Sequence, residues 1–206
     1  MRSPLLTIGH STHTLSHFIA LLRQYNVTAL CDVRSQPYSR INPQFNREVL
    51  KKALKKAGIA YVFLGTELGA RTNDRSCYEN GRVIYERIAQ TQLFSRGLDR
   101  IEDGLQKYQV SLMCAEKEPL NCHRTILVAR QVENRGIPVS HICANGTLET
   151  NAHAISRLIR LLSLPDMFLP QNELVAEAYR LQEDRIAYTS PDRTEPDSSV
   201  WETATG

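Results

Sequence analysis

The sequence predicts an α/β protein, a three-layer doubly wound sandwich on a mainly parallel sheet of about five strands. Three observations predict it. Apolar runs of five to seven residues alternate along the chain with segments of helical period. The runs are continuously apolar instead of alternating, as strands covered on both faces require. Each is joined to the next by a segment long enough for a crossover helix, and right-handed crossovers then place helices on both faces of the sheet.

The first run, Pro4–Ile8, ends at Gly9-His10-Ser11. Thr14 is placed to cap a helix carrying Leu15, Phe18, Ile19 and Leu22 on one face. Val27–Val33 is the second strand, followed by Arg34 and a loop marked by Pro37 and Pro43. Asn46 is the expected N-cap of a helix to Ala57. Its apolar stripe is Val49, Leu50, Ala53, Leu54 and Ala57, and its outer face is Lys51, Lys52, Lys55 and Lys56. Ile59–Leu64 is the third strand. Residues 65–81 read as a long polar loop, a kind of segment that tends to be functional. Helices are expected over Val83–Gln90 and Leu93–Tyr108, a fourth strand at Val110–Cys114, and a helix from Cys122 to Asn134. A fifth strand at Val139–Cys143 and helices at 152–163 and 171–185 complete the domain, which is expected to span residues 1–188. Residues 189–206, rich in Ser, Thr, Pro and acid, read as a disordered tail.

Composition narrows the function classes. The chain has 206 residues, 42% hydrophobic and 23% charged, and no apolar run approaches the roughly 20 residues of a membrane span. No membrane partner is expected. Five cysteines, an odd number, with no apolar leader before the first strand point to free thiols in a reducing compartment, hence a cytoplasmic location. The net charge of +3 conceals an asymmetry: the tail carries −3 and the 188 residues before it +6. A mildly cationic domain favours anionic partners. No Walker loop and no Gly-x-Gly-x-x-Gly is present, so no nucleotide cofactor is expected, nor any other.

In such folds ligands bind beyond the carboxyl ends of the strands, so the residues just after each strand matter most. The first strand end supplies His10 and Ser11, the second Asp32 and Arg34, the third Glu67 and Arg71, the fourth Cys114 and Glu116. The segment Cys114–Arg124 runs from strand through loop to a helix N-terminus, where free N–H groups and the helix dipole favour an anion. Cys122 at that N-terminus, beside His123 and Arg124, is placed for a lowered pKa and a nucleophilic role. The Cys-x5-Arg spacing of a phosphatase or rhodanese loop is absent: the sixth residue after Cys114 is Leu120. Cys31 and Cys143 lie in strand runs and read as core, and Cys77 as an incidental loop residue.

Two other uses of these residues compete. Cys114, Cys122, His123 and His10 could hold zinc, but the long gap between the cysteines and the adjacency of Cys122 and His123 argue against it, and no metal is expected. The lysine face of residues 51–56 with the loop arginines could bind nucleic acid without catalysis. A thiol or metal sensor using Cys114 and Cys122 is the third reading.

The motifs Thr7-Ile8-Gly9-His10-Ser11, Asp32-Val33-Arg34, Asn42-Pro43-Gln44-Phe45-Asn46, Glu67-Leu68-Gly69 and Met113-Cys114-Ala115-Glu116-Lys117-Glu118-Pro119-Leu120-Asn121-Cys122-His123-Arg124 resemble, in that order, the family called domain of unknown function 488. The resemblance runs from about Leu6 to Leu162 and implies a fold and a site without a reaction. Ala70 replaces a glycine of the family's pattern.

Together these readings predict a cysteine-dependent hydrolase or transferase acting on a nucleotide, nucleic acid or phosphorylated metabolite. Cys122 would be the nucleophile and His10 or His123 the general base, with Asp32 and Glu116 orienting the base or handling protons. Ser11, Arg34, Arg71, Cys114 and Arg124 would surround the substrate, the arginines holding its anion.

Overall fold

The computed structural model describes residues 4–164 and 170–190. Among them, five strands run parallel: β1 (Leu5–Gly9), β2 (Ala29–Asp32), β3 (Ala60–Phe63), β6 (Val110–Cys114) and β7 (Val139–Ile142). A sixth, β8 (Leu148–Thr150), pairs antiparallel with β7 and gives the order β3-β2-β6-β1-β7-β8. The sequence pattern misses β8 because it is only three residues long, with none of them buried, so it has no apolar run.

Helices cover both faces. α1 (Leu15–Gln24) and α2 (Arg47–Lys56) pack Phe18, Leu21, Leu22, Leu50 and Leu54 against Leu6, Ile8, Leu30 and Met113. The opposite face carries α5 (Gln92–Leu105), α6 (Arg130–Asn134), α7 (Asn151–Leu161) and α8 (Gln171–Ile186) over Leu5, Cys31, Val110 and Leu112. Burying each face against a helical layer is what holds the sheet. Thr14 caps α1 by accepting from His17 N (3.3 Å). Asn46 occupies the cap position of α2, but its Oδ1 instead accepts from Ser39 N (2.7 Å) and fixes the preceding loop. Val49, expected in the apolar stripe, is 47% exposed.

The segment 65–81 is not the structureless loop the polarity suggests. It contains α3 (Gly65–Leu68), a 3-10 turn at Arg75–Cys77 and a hairpin of β4 (Tyr78–Glu79) and β5 (Arg82–Val83). Asn80 and Gly81 close it at φ +49° and +76°, the left-handed pair that an Asn-Gly hairpin turn needs. Val83, expected in a helix, therefore belongs to a strand, and the helix that follows is short: α4 (Tyr85–Ala89). Likewise α5 stops at Leu105, leaving Tyr108 outside it.

The helix expected from Cys122 begins as a π-helix over Arg124–Ala129 before α6, and π segments recur at functional sites. At the other end of the domain, Thr189 still bridges Arg82 and Ser190 N donates to Gly81 O (2.7 Å), so ordered pairing continues past residue 188. The remainder of the expected tail, 191–206, lies outside the described residues. No helix among the described residues is long and apolar enough to cross a membrane.

Candidate active site

Adjacent strands β2 and β6 send the chain in opposite directions, β2 toward β3 and β6 toward β7. The loops leaving them diverge and open a crevice at the carboxyl edge of the sheet, where open α/β sheets bind ligands. A cleft of about 320 Å³ occupies this place. Arg34, Ser35, Gln36 and Tyr38 line it from the β2 loop. Cys114, Glu116, Asn121, Cys122 and His123 line it from the β6 side, and Arg71, Tyr85 and Tyr188 close it.

The floor is a sulfur cluster. Cys122 is extended (φ −143°, ψ 138°) and His123 is helical (φ −58°, ψ −25°), and this sharp change lets consecutive side chains face one point. Cys122 Sγ lies 2.9 Å from Glu116 Oε2 and 4.0 Å from His123 Nδ1, and Cys114 Sγ lies 3.6 Å from the same nitrogen. The expectation that adjacency makes it hard for Cys122 and His123 to face one ion is thereby corrected: the donor atoms of Cys114, Cys122 and His123 all lie within 4.8 Å of one another. His10, the fourth ligand considered from sequence, is not in this group.

Protons are unevenly distributed here. Burial acts to raise the pKa of Cys122, but the Cys114 thiol, the Arg124 guanidinium and His123 outweigh it and hold the sulfur well below an ordinary thiol. Cys114 moves the other way, pushed far up by burial and by its neighbour Cys122, and remains a thiol. Glu116 is raised by burial and then by the Cys122 charge. His123 loses charge stability to burial but gains more from Cys122 and Glu116, and its pKa rises. Its Nε2–H donates to Val33 O (3.0 Å), which aims Nδ1 at the sulfurs.

The other strand-end residues form a layer beneath. Arg34 makes a two-pronged pair with Asp32 (Nε–Oδ1 2.9 Å, Nη2–Oδ2 2.7 Å), donates to Phe45 O (2.8 Å), and reaches His10 Nε2 at 3.2 Å. Tyr61 Oη also donates to Asp32 Oδ2 (2.8 Å). His10 stacks on Phe45, and its Nδ1–H donates to Ser11 O (2.8 Å). Burial lowers its pKa to about 4, so it is neutral, and its one lone pair faces Arg34. His10, Ser11 and Asp32 do not line the cleft; His10 and Asp32 touch it through Arg34, and Ser11 only fixes the His10 ring.

Arg124 is turned inward as well. It is 1% exposed, and its guanidinium donates to Glu116 O (2.7 Å) and Lys117 O (3.4 Å). It pins the loop that carries Glu116 and lends its charge to Cys122 instead of meeting a ligand. Of the ten residues singled out from sequence, Arg34, Arg71, Cys114, Glu116, Cys122 and His123 share the cleft. Sequence reasoning misses Ser35, Tyr38, Tyr85, Asn121 and Tyr188. Tyr85 was findable, since the Asn80-Gly81 turn announces the hairpin that delivers it. Tyr188 was not: it returns from the end of α8, and its ring lies under the Arg71 guanidinium at 4.3 Å.

The family model for the domain of unknown function DUF488 matches residues 14–131, more than half of the chain. The chain belongs to the DUF488 family. The match includes the β2, β3 and β6 ends that build the cleft and stops short of the end of α8, where Ile186 and the following Tyr188 complete it. No curated protein matches the chain significantly. Two crystal structures of a candidate phosphatase (DUF442) from Shewanella putrefaciens CN-32 are distantly similar. One has 11% identity and a TM-score of 0.39 over 90% of this chain and 91% of that one. The other has 10% and 0.40 over 91% and 90%. Nothing about chemistry follows from likeness at that level.

Proposed function

We propose that this cleft is the active site of a cysteine-dependent enzyme acting on a phosphorylated substrate, such as a nucleotide, a nucleic acid end or a phosphorylated metabolite. The observation that carries the reading is the 2.9 Å approach of Cys122 Sγ to Glu116 Oε2 on the cleft floor, in a cleft that Arg34 and Arg71 also line. A thiolate needs a neighbouring acid to protonate the leaving group, and this pair supplies both partners.

Cys122 attacks phosphorus, the S–P bond forms, the ester P–O bond breaks, and the Glu116 proton goes to the leaving oxygen. Water then loses a proton to the Glu116 carboxylate and displaces phosphate, restoring thiolate and acid. With an acceptor alcohol in place of water the same steps make a transferase. His123 steadies the thiolate, and Arg34 and Arg71 hold the equatorial oxygens. His10 and Asp32 serve as positioning residues for Arg34.

The test is turnover of aryl phosphates and a panel of nucleotides in chelator-treated buffer. Cys122→Ser is expected to lose at least roughly 1,000-fold in kcat with an intact fold. A fully active Cys122→Ala protein would sink the reading. The purely nucleic-acid-binding alternative has less support. Lys51, Lys52, Lys55 and Lys56 are exposed, but α2 carries them back toward the amino edge of the sheet, away from the cleft.

A further inference from the structure

We infer that Cys114, Cys122 and His123, with Glu116 as fourth ligand, form a tetrahedral site for a zinc-class divalent cation, and that occupancy silences Cys122. The binding half stands on geometry alone; the silencing half rests on the function proposed above.

Four features support it. First, zinc at about 2.3 Å from sulfur and 2.0 Å from nitrogen sets S···N edges of about 3.6 Å and S···S edges of about 3.8 Å. The observed edges from His123 Nδ1 are 3.6 Å to Cys114 and 4.0 Å to Cys122, so the cage needs only small closure. Second, the ring is already held as metal-bound histidines are, its far Nε2–H given to a backbone carbonyl, here Val33 O at 3.0 Å. Third, a carboxylate stands next to the three donors. Glu116 Oε2 touches Cys122 Sγ at 2.9 Å; it lies outside the cluster of mutually close donors and has to swing away from that sulfur, to an S···O edge of about 3.6 Å, to take the fourth corner. Fourth, the charges close. Two thiolates and a carboxylate around a divalent ion leave one negative charge, and the buried Arg124, which donates to Glu116 O, stands beside it.

The donor set also selects the ion. Two sulfurs and an imidazole exclude magnesium and calcium, which take oxygen cages, and suit zinc. A metal drawing on Cys122 for a ligand removes its lone pair from attack.

The full chain, reduced with a phosphine and stripped by chelator, is titrated with cobalt(II) and then zinc(II). One equivalent of cobalt is expected to give thiolate charge-transfer and tetrahedral d–d bands that zinc abolishes. Cys114→Ser should weaken zinc more than roughly 100-fold, whereas Cys143→Ser should leave it unchanged. If circular dichroism finds Cys114→Ser unfolded, His123→Gln, at the cleft wall, takes its place. Octahedral cobalt spectra, or affinity unchanged in the folded variant of Cys114 or His123, would overturn the site. Zinc is further expected to slow alkylation of Cys122 at least tenfold and to stop turnover. Turnover that requires zinc would leave the site standing and sink both the silencing and the nucleophilic role of Cys122. Absent zinc binding with Cys122 still reactive would sink only this inference.

Discussion

Glu116 Oε2 and Cys122 Sγ meet at 2.9 Å with a single proton to share. The neighbours decide which way it is drawn. The Cys114 thiol, Arg124 and His123 favour charge on sulfur, while burial disfavours it on the Glu116 carboxylate. The thiol is thus pushed down and the carboxyl up, toward each other, although a free thiol is a far weaker acid than a carboxyl in water.

Thiol alkylation should therefore ignore pH where an ordinary cysteine does not. Cys122, lowered by the Cys114 thiol, Arg124 and His123 against the pull of burial, should react with iodoacetamide at a constant rate from pH 8 down through neutrality. An unperturbed thiol would slow about tenfold per unit below its pKa. Glu116→Gln removes the proton donor but none of the groups that hold the sulfur down, so kcat should fall roughly 100- to 10,000-fold for want of the acid while Cys122 keeps its alkylation at neutral pH. Mass-resolved labelling of Cys122 across pH checks both; an edge near pH 8.5 would refute the thiolate.

Beneath the cleft, Asp32 is fully buried and Arg34 is 6% exposed, so each charge depends on the other. Asp32→Asn or Arg34→Met should cost about 3–5 kcal/mol by urea denaturation, because one buried charge is left unpaired. Combining them should cost well under the sum, since the second change removes the charge the first exposed. Tyr61→Phe, which deletes one bond to Asp32 Oδ2, should cost only about 1 kcal/mol.

Much of this arrangement was legible in sequence, and for a physical reason. Continuous apolar runs such as Val110–Cys114 betray buried parallel strands, and the residue after such a run must lie at the ligand-binding edge, so Arg34, Glu116 and Cys122 could be named in advance. Direction could not. Arg34 and Arg124 look alike in sequence, yet one lines the cleft and the other is bound to the carbonyls of Glu116 and Lys117. Whether a strand-end side chain faces solvent or the sheet's interior depends on loop geometry that periodicity does not encode. The convergence of Cys122 and His123 likewise hangs on one change of backbone conformation between neighbours.

Two buried histidines set the acid limit of stability. His10 and His141 are each lowered by burial to about 4. His141 is held between Thr7 Oγ1 (2.8 Å) and Asn151 Oδ1 (3.1 Å). The unfolded chain binds a proton at each near pH 6.5, the folded chain only near pH 4, so the unfolded state holds more protons between those values. Stability is full above pH 6.5 and falls as pH drops toward 4, by about 3 kcal/mol for each histidine. Urea midpoints measured from pH 7.5 to 4.5 should decline, and His141→Asn should flatten the decline. A midpoint indifferent to pH over that range would contradict both assignments.

Gly9 couples the first strand to the Cys114–Arg124 loop. A Cβ added there would lie 1.8 Å from Glu116 O and 2.8 Å from Glu116 C, with Arg124 Nη1 at 3.2 Å. These are backbone atoms and a pinned guanidinium, so the loop would have to move as a unit. Gly9→Ala should destabilise by about 1–3 kcal/mol and break the Arg124–Glu116 carbonyl bond. It should also withdraw the Glu116 carboxyl from Cys122. Kcat should then fall as far as in Glu116→Gln, while Cys122, still beside Cys114 and His123, keeps its alkylation at neutral pH. Comparing the two variants in turnover and in labelling checks the coupling. Wild-type turnover in Gly9→Ala would mean that Glu116 is not held from this side.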